Sequence, residues 1–179
     1  MGVQVSIATS IILAALLGAC GRNAGETNQS ASTGGPVSGA PAPAAPAAPA
    51  EAEKKASLAS LPPAYRAADL DNGQAKFALC KSCHTAVRDA PNMTGPNLYD
   101  VFGRRAGTMP GFAYSDALKV SKIVWDADTI DKWITNPRID VPGTKMTYLG
   151  MENPKDRIDL IAYLKLVTTP KGRLRPYAS

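Results

Sequence analysis

Cys80-Lys81-Ser82-Cys83-His84 spells C-x-x-C-H, and His84 is the only histidine in the chain. The pattern reads as a c-type haem attachment site. Its spacing follows from the chemistry. Two thiols add across the two vinyl groups of one haem, and the histidine directly after the second is held under the iron as the proximal ligand. Competing readings of C-x-x-C lack support. A structural zinc site needs four ligands, and beyond Cys80, Cys83 and His84 the remaining cysteine is Cys20, far upstream. A thioredoxin-like redox pair follows a strand in a βαβ pattern, whereas the segment before Cys80 reads as helix.

With no second histidine, the soft thioether of methionine is the natural distal partner for iron. The candidates after His84 are Met93, Met109, Met146 and Met151. Most methionines fill cores, so position decides. Met93 is only nine residues from His84, and crossing to the opposite haem face favours a longer excursion. Met146 ends Pro142-Gly143-Thr144-Lys145-Met146, a tight non-helical run able to present a side chain inward. Met151 is the alternative.

Working outward, Asp71 with Gln74 three residues on suggests the cap of a first helix running to Cys80, anchored by Phe77. Arg88 to Pro110 is dense in Pro, Gly and Asn and reads as loop. A short helix is expected from Asp116 to Lys122. Asp126 caps another, with Ile130, Trp133 and Ile134 on one face, and Pro137 stops it. Asn153-Pro154 starts a last helix, whose stripe is Leu160, Ile161, Tyr163, Leu164 and Val167. Pro170 and Gly172 end it.

Several further runs resemble class I cytochrome c of the mitochondrial type. They are Gly95-Pro96-Asn97-Leu98, Phe102-Gly103-Arg104, Pro110-Gly111-Phe112-Ala113-Tyr114, Trp125, Asn136-Pro137, Pro142 to Met146, and Asp159 to Leu164. The resemblance implies an all-α fold of several helices around one covalent haem c. It also implies His84 and Met146 as axial ligands, and electron carriage rather than catalysis. It further implies that the Pro96 carbonyl accepts from the proximal imidazole. Arg104, Tyr114 and Trp125 would hydrogen-bond a propionate, Thr144 and Lys145 would flank the distal ligand, and Gly73 would lie against Tyr163 where first and last helices cross. Two positions depart from the family. Leu118 stands where an asparagine is usual, and Trp133 where a tyrosine is usual, so the distal wall is expected to be drier.

The chain has 179 residues and a formal net charge of +5. From Tyr65 onward there are seventeen Lys and Arg against twelve Asp and Glu, so the excess belongs to that part. No dense basic run interleaved with aromatics suggests nucleic acid. Acidic surfaces on membrane-bound redox complexes suit the charge better. Lys81, Arg88, Arg138, Lys145 and Lys155 are the basic candidates near the haem edge. The chain is expected to be a monomer.

Val3 to Ala19 is mostly apolar and too short and interrupted for a good spanning helix, so residues 1–19 read as a signal segment. The run Leu17-Gly18-Ala19-Cys20-Gly21 resembles a bacterial lipobox, in which the Cys20 thiol carries lipid. No Lys or Arg precedes the apolar run, which leaves an uncleaved N-terminal helix as the alternative anchor. Either places the domain on the periplasmic side of a bacterial membrane. Residues 20–65 read as the lipidated cysteine and a disordered linker rich in Ala, Pro, Gly and Ser. Roughly 45 such residues reach on the order of 100 Å when extended. Residues 66–169 form the haem domain and 170–179 a C-terminal tail. The implied function is a tethered one-electron carrier from a cytochrome bc complex to a terminal oxidase.

Overall fold

Asp69 begins the structure's central helix. In the computed structural model, which describes residues 49–174, its side chain accepts from the backbone N–H groups of Asp71 (3.0 Å) and Asn72 (3.1 Å). These are orphan donors of the helix Leu70–Lys81, here called α2. The cap therefore lies two residues before the expected Asp71. Asp69 has the extended backbone that a capping residue needs, whereas Asp71 is already helical.

The last helix, α6 (Pro154–Thr168), starts where expected. Asn153 accepts from the Lys155 N–H at 2.9 Å, and Pro154 takes the first helical position, where its missing N–H costs nothing. α2 crosses α6 at Gly73. A Cβ there would stand 2.1 Å from the Asp159 carbonyl oxygen and 2.7 Å from Tyr163 Cβ, so glycine is required. One turn on, the rings of Phe77 and Tyr163 pack 5.7 Å apart. Asp159, 1 % exposed, ties the crossing together. It accepts from the Asp69 N–H (2.8 Å), Asn72 Nδ2 (2.7 Å) and Lys155 Nζ (2.6 Å).

Between these helices lie three shorter ones. α3 (Asp116–Val120) is capped by Ser115 and ends before the expected Lys122. α4 (Ala127–Thr135) starts on a reciprocal box in which Asp126 accepts from the Thr129 N–H and Thr129 Oγ1 accepts from the Asp126 N–H, both at 2.8 Å. Asn136 then caps α5 (Pro137–Asp140), so Pro137 opens a new helix as well as following the end of α4. Arg157 of α6 donates to Asp131 of α4 and to the carbonyls of Met151 and Glu152, fixing α4 against α6 and the loop between. The described residues are helical with no strands, apart from an isolated bridge between Arg105 and Val124. None of their helices is long and apolar enough to cross a membrane. The all-α expectation holds.

One expectation fails in part. The stretch to residue 65, read as disordered linker, is ordered over its last portion. Glu51–Ala59 forms α1 and Pro63–Tyr65 a single 3-10 turn, and both pack on α6. Leu61 (2 % exposed) and Tyr65 enter the core, and the Tyr65 hydroxyl donates to Asp128 at 3.0 Å. The composition changes at Glu51, where the Ala-Pro run gives way to Glu-Ala-Glu-Lys-Lys-Ala-Ser-Leu-Ala. Those are mostly strong helix formers, with Leu58 and Leu61 to bury. Residues 1–48, including Val3 to Ala19, Cys20 and most of the expected linker, lie outside the described residues, as do residues 175–179.

Candidate cofactor site

Phe77 and Cys80 of α2, and Leu160 and Leu164 of α6, face a cavity with about 790 Å³ of atom-free space including its open mouth. Leu98, Val101, Leu118, Ile130, Trp133 and Ile134 add to its apolar wall. His84, Pro96, Arg104, Tyr114, Trp125 and Met146 also line it. Seven of the nine residues expected to bind the cofactor therefore meet at one cavity. Cys83 is half-buried beside it, one residue before His84. Thr144 does not line it, and its hydroxyl accepts from the Met146 N–H at 3.2 Å instead.

His84 is held in one tautomer. Its Nδ1 lies 2.8 Å from the Pro96 carbonyl oxygen. A carbonyl can only accept, so Nδ1 carries the proton and Nε2 keeps the lone pair that a metal needs. Burial lowers the imidazole's pKa, against the Pro96 bond, which raises it. Gly95 presses on the ring, where a Cβ would stand 2.3 Å from Cε1. Burial, with Cys83 adding to it, pushes the Cys80 thiol up to about 11.

The loop that carries Pro96 is organised by Asn97, which is 1 % exposed. Its amide donates to the Val87 and Ala90 carbonyls, both at 2.8 Å, and its side-chain oxygen accepts from the Tyr99 N–H at 2.7 Å. Arg104 closes the same loop, donating to the Asn97 and Tyr99 carbonyls at 2.9 and 3.0 Å and to Met109 Sδ at 3.3 Å. These roles of Gly95, Asn97 and Met109 escaped the sequence reading. A glycine and an asparagine beside Pro96 were the available signal, since both mark backbone that needs local hydrogen bonding.

The cavity's chemistry matches a haem. Its walls are largely apolar, yet Arg104 brings a half-buried guanidinium that makes no ion pair among the described residues. Burial lowers its pKa, as expected of a cation without a bonded anion. Tyr114, its phenol pKa raised by burial, stands close by. A carboxylate entering with the cofactor would satisfy both. Trp125 and Trp133 pack 5.5 Å apart on the wall. Leu118 and Trp133, the departures from the family, both face the cavity, and Leu118 offers no polar group. The other methionines are elsewhere. Met151 is buried core with its N–H bonded to the Ile134 carbonyl, Met109 bonds Arg104, and Met93 is exposed.

No family model matches the chain. Individual relatives do. Cytochrome c2 of Rhodomicrobium vannielii is 48% identical over 101 residues, covering 56% of this chain and 81% of that protein. The chain belongs to the cytochrome c family. Cytochrome c of Euglena viridis is 45% identical over 98 residues, 54% of this chain and 95% of that one. Among solved structures, cytochrome cH from Methylobacterium extorquens superposes with a TM-score of 0.51 at 44% identity, covering 54% of this chain and 97% of the other. Cytochromes c carry one covalently attached c-type haem and move electrons rather than catalyse reactions, and this chain does the same.

Proposed function

We propose that this cytochrome c is a membrane-tethered, periplasm-facing carrier that passes one electron at a time from a cytochrome bc complex to a terminal oxidase. One observation carries the carrier half of the reading. The lone-pair nitrogen of His84 and the thioether of Met146 belong to side chains lining one cavity, and no third ligating side chain is required. The haem supplies the one-electron iron couple. Everything else falls to the chain. Cys80 and Cys83 would hold the haem covalently through their sulfurs. His84 and Met146 would supply the two side-chain ligands to its iron and leave no site for exogenous ligands. Pro96 holds the proximal tautomer. Arg104, Tyr114 and Trp125 receive a propionate, and Thr144 restrains the Met146 backbone. The apolar walls exclude water and disfavour added charge on the iron, which favours the reduced state.

The tether half rests on the sequence of residues 1–50. Cys20 after the apolar run supports lipid attachment, which holds a protein firmly when several acyl chains share one residue. The second reading keeps the apolar run Val3 to Ala19 as an uncleaved N-terminal helix that anchors the chain. The resulting organisation is residues 1–19 as signal, 20–50 as anchor and linker, 51–169 as the haem domain with its N-terminal helix, and 170–179 as tail. Partners are membrane-bound redox complexes with acidic surfaces, approached as a monomer. Mass spectrometry of the membrane-extracted protein, with its reduced visible spectrum, tests both halves. The reading expects a mature N-terminus at a lipidated Cys20, one haem per chain and a low-spin c-type spectrum. A high-spin spectrum would reject the axial pair. Met1 intact with Cys20 unmodified would reject the lipid and leave the helix.

A further inference from the structure

Tyr65 ends the 3-10 turn Pro63–Tyr65 with its side chain buried, 5% exposed. Its hydroxyl donates to Asp128 Oδ1 at 3.0 Å, the one hydrogen bond this side chain makes among the described residues. Burial, and then the bond to Asp128, raise the phenol's pKa, so the donor keeps its proton at neutral pH. Asp128 stands in the first turn of α4. The bond therefore joins the N-terminal segment, which packs on α6, to the start of α4.

α4 in turn frames the loop that carries Met146. At the front of the loop, Asn136 follows α4 directly and caps α5, and Val141 after α5 is buried. At the back, the Met151 N–H donates to the Ile134 carbonyl at 2.8 Å. Gly150 lies against the Thr135 carbonyl, where a Cβ would stand 2.1 Å from the oxygen. Arg157 binds Asp131 of α4 and the Met151 and Glu152 carbonyls at once. Between these ends the bonds are short in range or exposed. The Thr144 N–H donates to the Val141 carbonyl at 3.1 Å and the Met146 N–H to Thr144 Oγ1 at 3.2 Å. The exposed Lys145 Nζ donates to the Ala113 carbonyl at 3.1 Å. The position of the loop therefore follows α4, and Met146 lines the same cavity as Ile130, Trp133 and Ile134 of that helix.

We propose that Tyr65 is a positioning residue for the distal ligand. Its bond to Asp128 holds α4, and α4 holds the Met146 loop, so the loop leaves the cavity only when α4 shifts and the Tyr65 bond breaks. The proposal rests on Met146 as axial ligand. The segment ahead of α2 then does more than add stability. It sets how often the sixth iron position opens to an outside ligand, which an electron carrier must keep closed. Coupling of this kind needs a shared element that both ends bias, and α4 is that element.

The test is the rate at which imidazole replaces the Met146 thioether in the ferric, full-length protein, followed by loss of the sulfur-to-iron absorption band. At saturating imidazole the rate stops rising and equals the rate of loop opening. Tyr65→Phe removes the donor and keeps the ring, and Asp128→Ala removes the acceptor. Each is expected to speed opening about fivefold, the worth of one hydrogen bond. The double variant should be no faster than either single one, because both remove the same bond. Asp128→Asn, which keeps an acceptor oxygen, is expected to stay within about twofold of the unsubstituted rate. Asp159→Asn separates positioning from general stability. It loosens the crossing of α2 and α6, so it should lower the melting temperature and leave the opening rate unchanged. Unchanged opening in Tyr65→Phe overturns the proposal, as does a double variant whose effect is the product of the singles. Equal acceleration by Asp159→Asn overturns it too, since opening would then follow global stability alone. An unsubstituted protein without the sulfur-to-iron band overturns the Met146 reading itself, and the proposal with it.

Discussion

Met146 and Met151 are five residues apart and chemically identical, yet they meet opposite environments. Met146 faces the cavity, while Met151 packs in the core with its N–H on the Ile134 carbonyl. Met146→Ala is therefore expected to open the sixth iron position, lower the reduction potential and admit small ligands, read by spectrum and potentiometry. Met151→Ala should keep the ligand and the potential but cost about 2–5 kcal/mol of stability through a core cavity. The reverse pattern would refute the assignment. The covalent half of this site was legible from sequence because its chemistry is local, with two thiols and an imidazole needed at fixed spacing. The loop before Met146 pointed to it with Met151 as the alternative, and the remainder was legible only through resemblance. Nothing in a local window says that Arg104, Tyr114 and Trp125 face the same space as His84, because long-range folding brings them there. Gly95 and Asn97 were quoted within a motif but their work was hidden. The first gives room for an imidazole, and the second satisfies a buried loop whose backbone has no helix to bond to.

At the level of elements, helix starts were readable to within two residues and helix existence was not always readable. Asn153-Pro154 and Asp126 announced α6 and α4 through capping chemistry. Asp71 with Gln74 fits the capping-box pattern, yet Asp69 is the cap, because Asp69 has the extended backbone a cap needs and Asp71 is already helical. α1 was missed because its short amphipathic run adjoins a Pro-rich stretch, and its stability comes from packing on α6 rather than from propensity. The crossing of α2 and α6 makes one network testable. Asp159 is buried, which raises its pKa, but donors from Lys155, Asn72 and the Asp69 N–H outweigh that and hold it below the usual carboxylate value. A depressed carboxylate stabilises the fold fully above its unfolded pKa of about 3.9 and loses that contribution as pH falls through the folded value. Asp159→Asn should cost roughly 1.5–3 kcal/mol at neutral pH and flatten the acid side of the stability–pH curve below about pH 4. Urea melts across that range would show it, and an unchanged acid slope would count against the network. A chain starting at Ala68 behind an ordinary signal should keep the haem spectrum, because no residue of 51–65 lines the cavity. It should still melt well below a chain starting at Pro49, having lost the burial of Leu61 and Tyr65, about 1.5–3 kcal/mol for each side chain. Equal melting temperatures would show that α1 contributes nothing.

Across the whole molecule, the ordering of residues 51–65 shortens the proposed tether and changes what it does. The Gly/Ser- and Ala/Pro-rich sequence runs from Gly21 to Ala50, about 30 residues, or roughly 90 Å if fully extended at polyproline spacing. α1 then attaches that tether to α6, the helix that also lines the haem cavity. The tether thus leaves from a packed element of the haem domain, and its reach is set by the residues before α1 alone. For a carrier serving two complexes in one membrane, a tether of suitable length keeps the effective concentration at both partners high, and one too short to span them abolishes delivery. Deleting Gly21 to Ala47 while retaining Cys20 and α1 should therefore leave spectrum, potential and melting temperature unchanged. It should sharply reduce electron flow between the complexes in intact membranes. Replacing the deleted residues with a Gly/Ser stretch of equal length should restore flow, because flexible chains of that composition span comparable distances at lower stiffness. Full activity after the deletion would mean that the tether only clears the lipid surface. Failure of the Gly/Ser replacement would mean that the Ala/Pro sequence acts through its stiffness rather than its length.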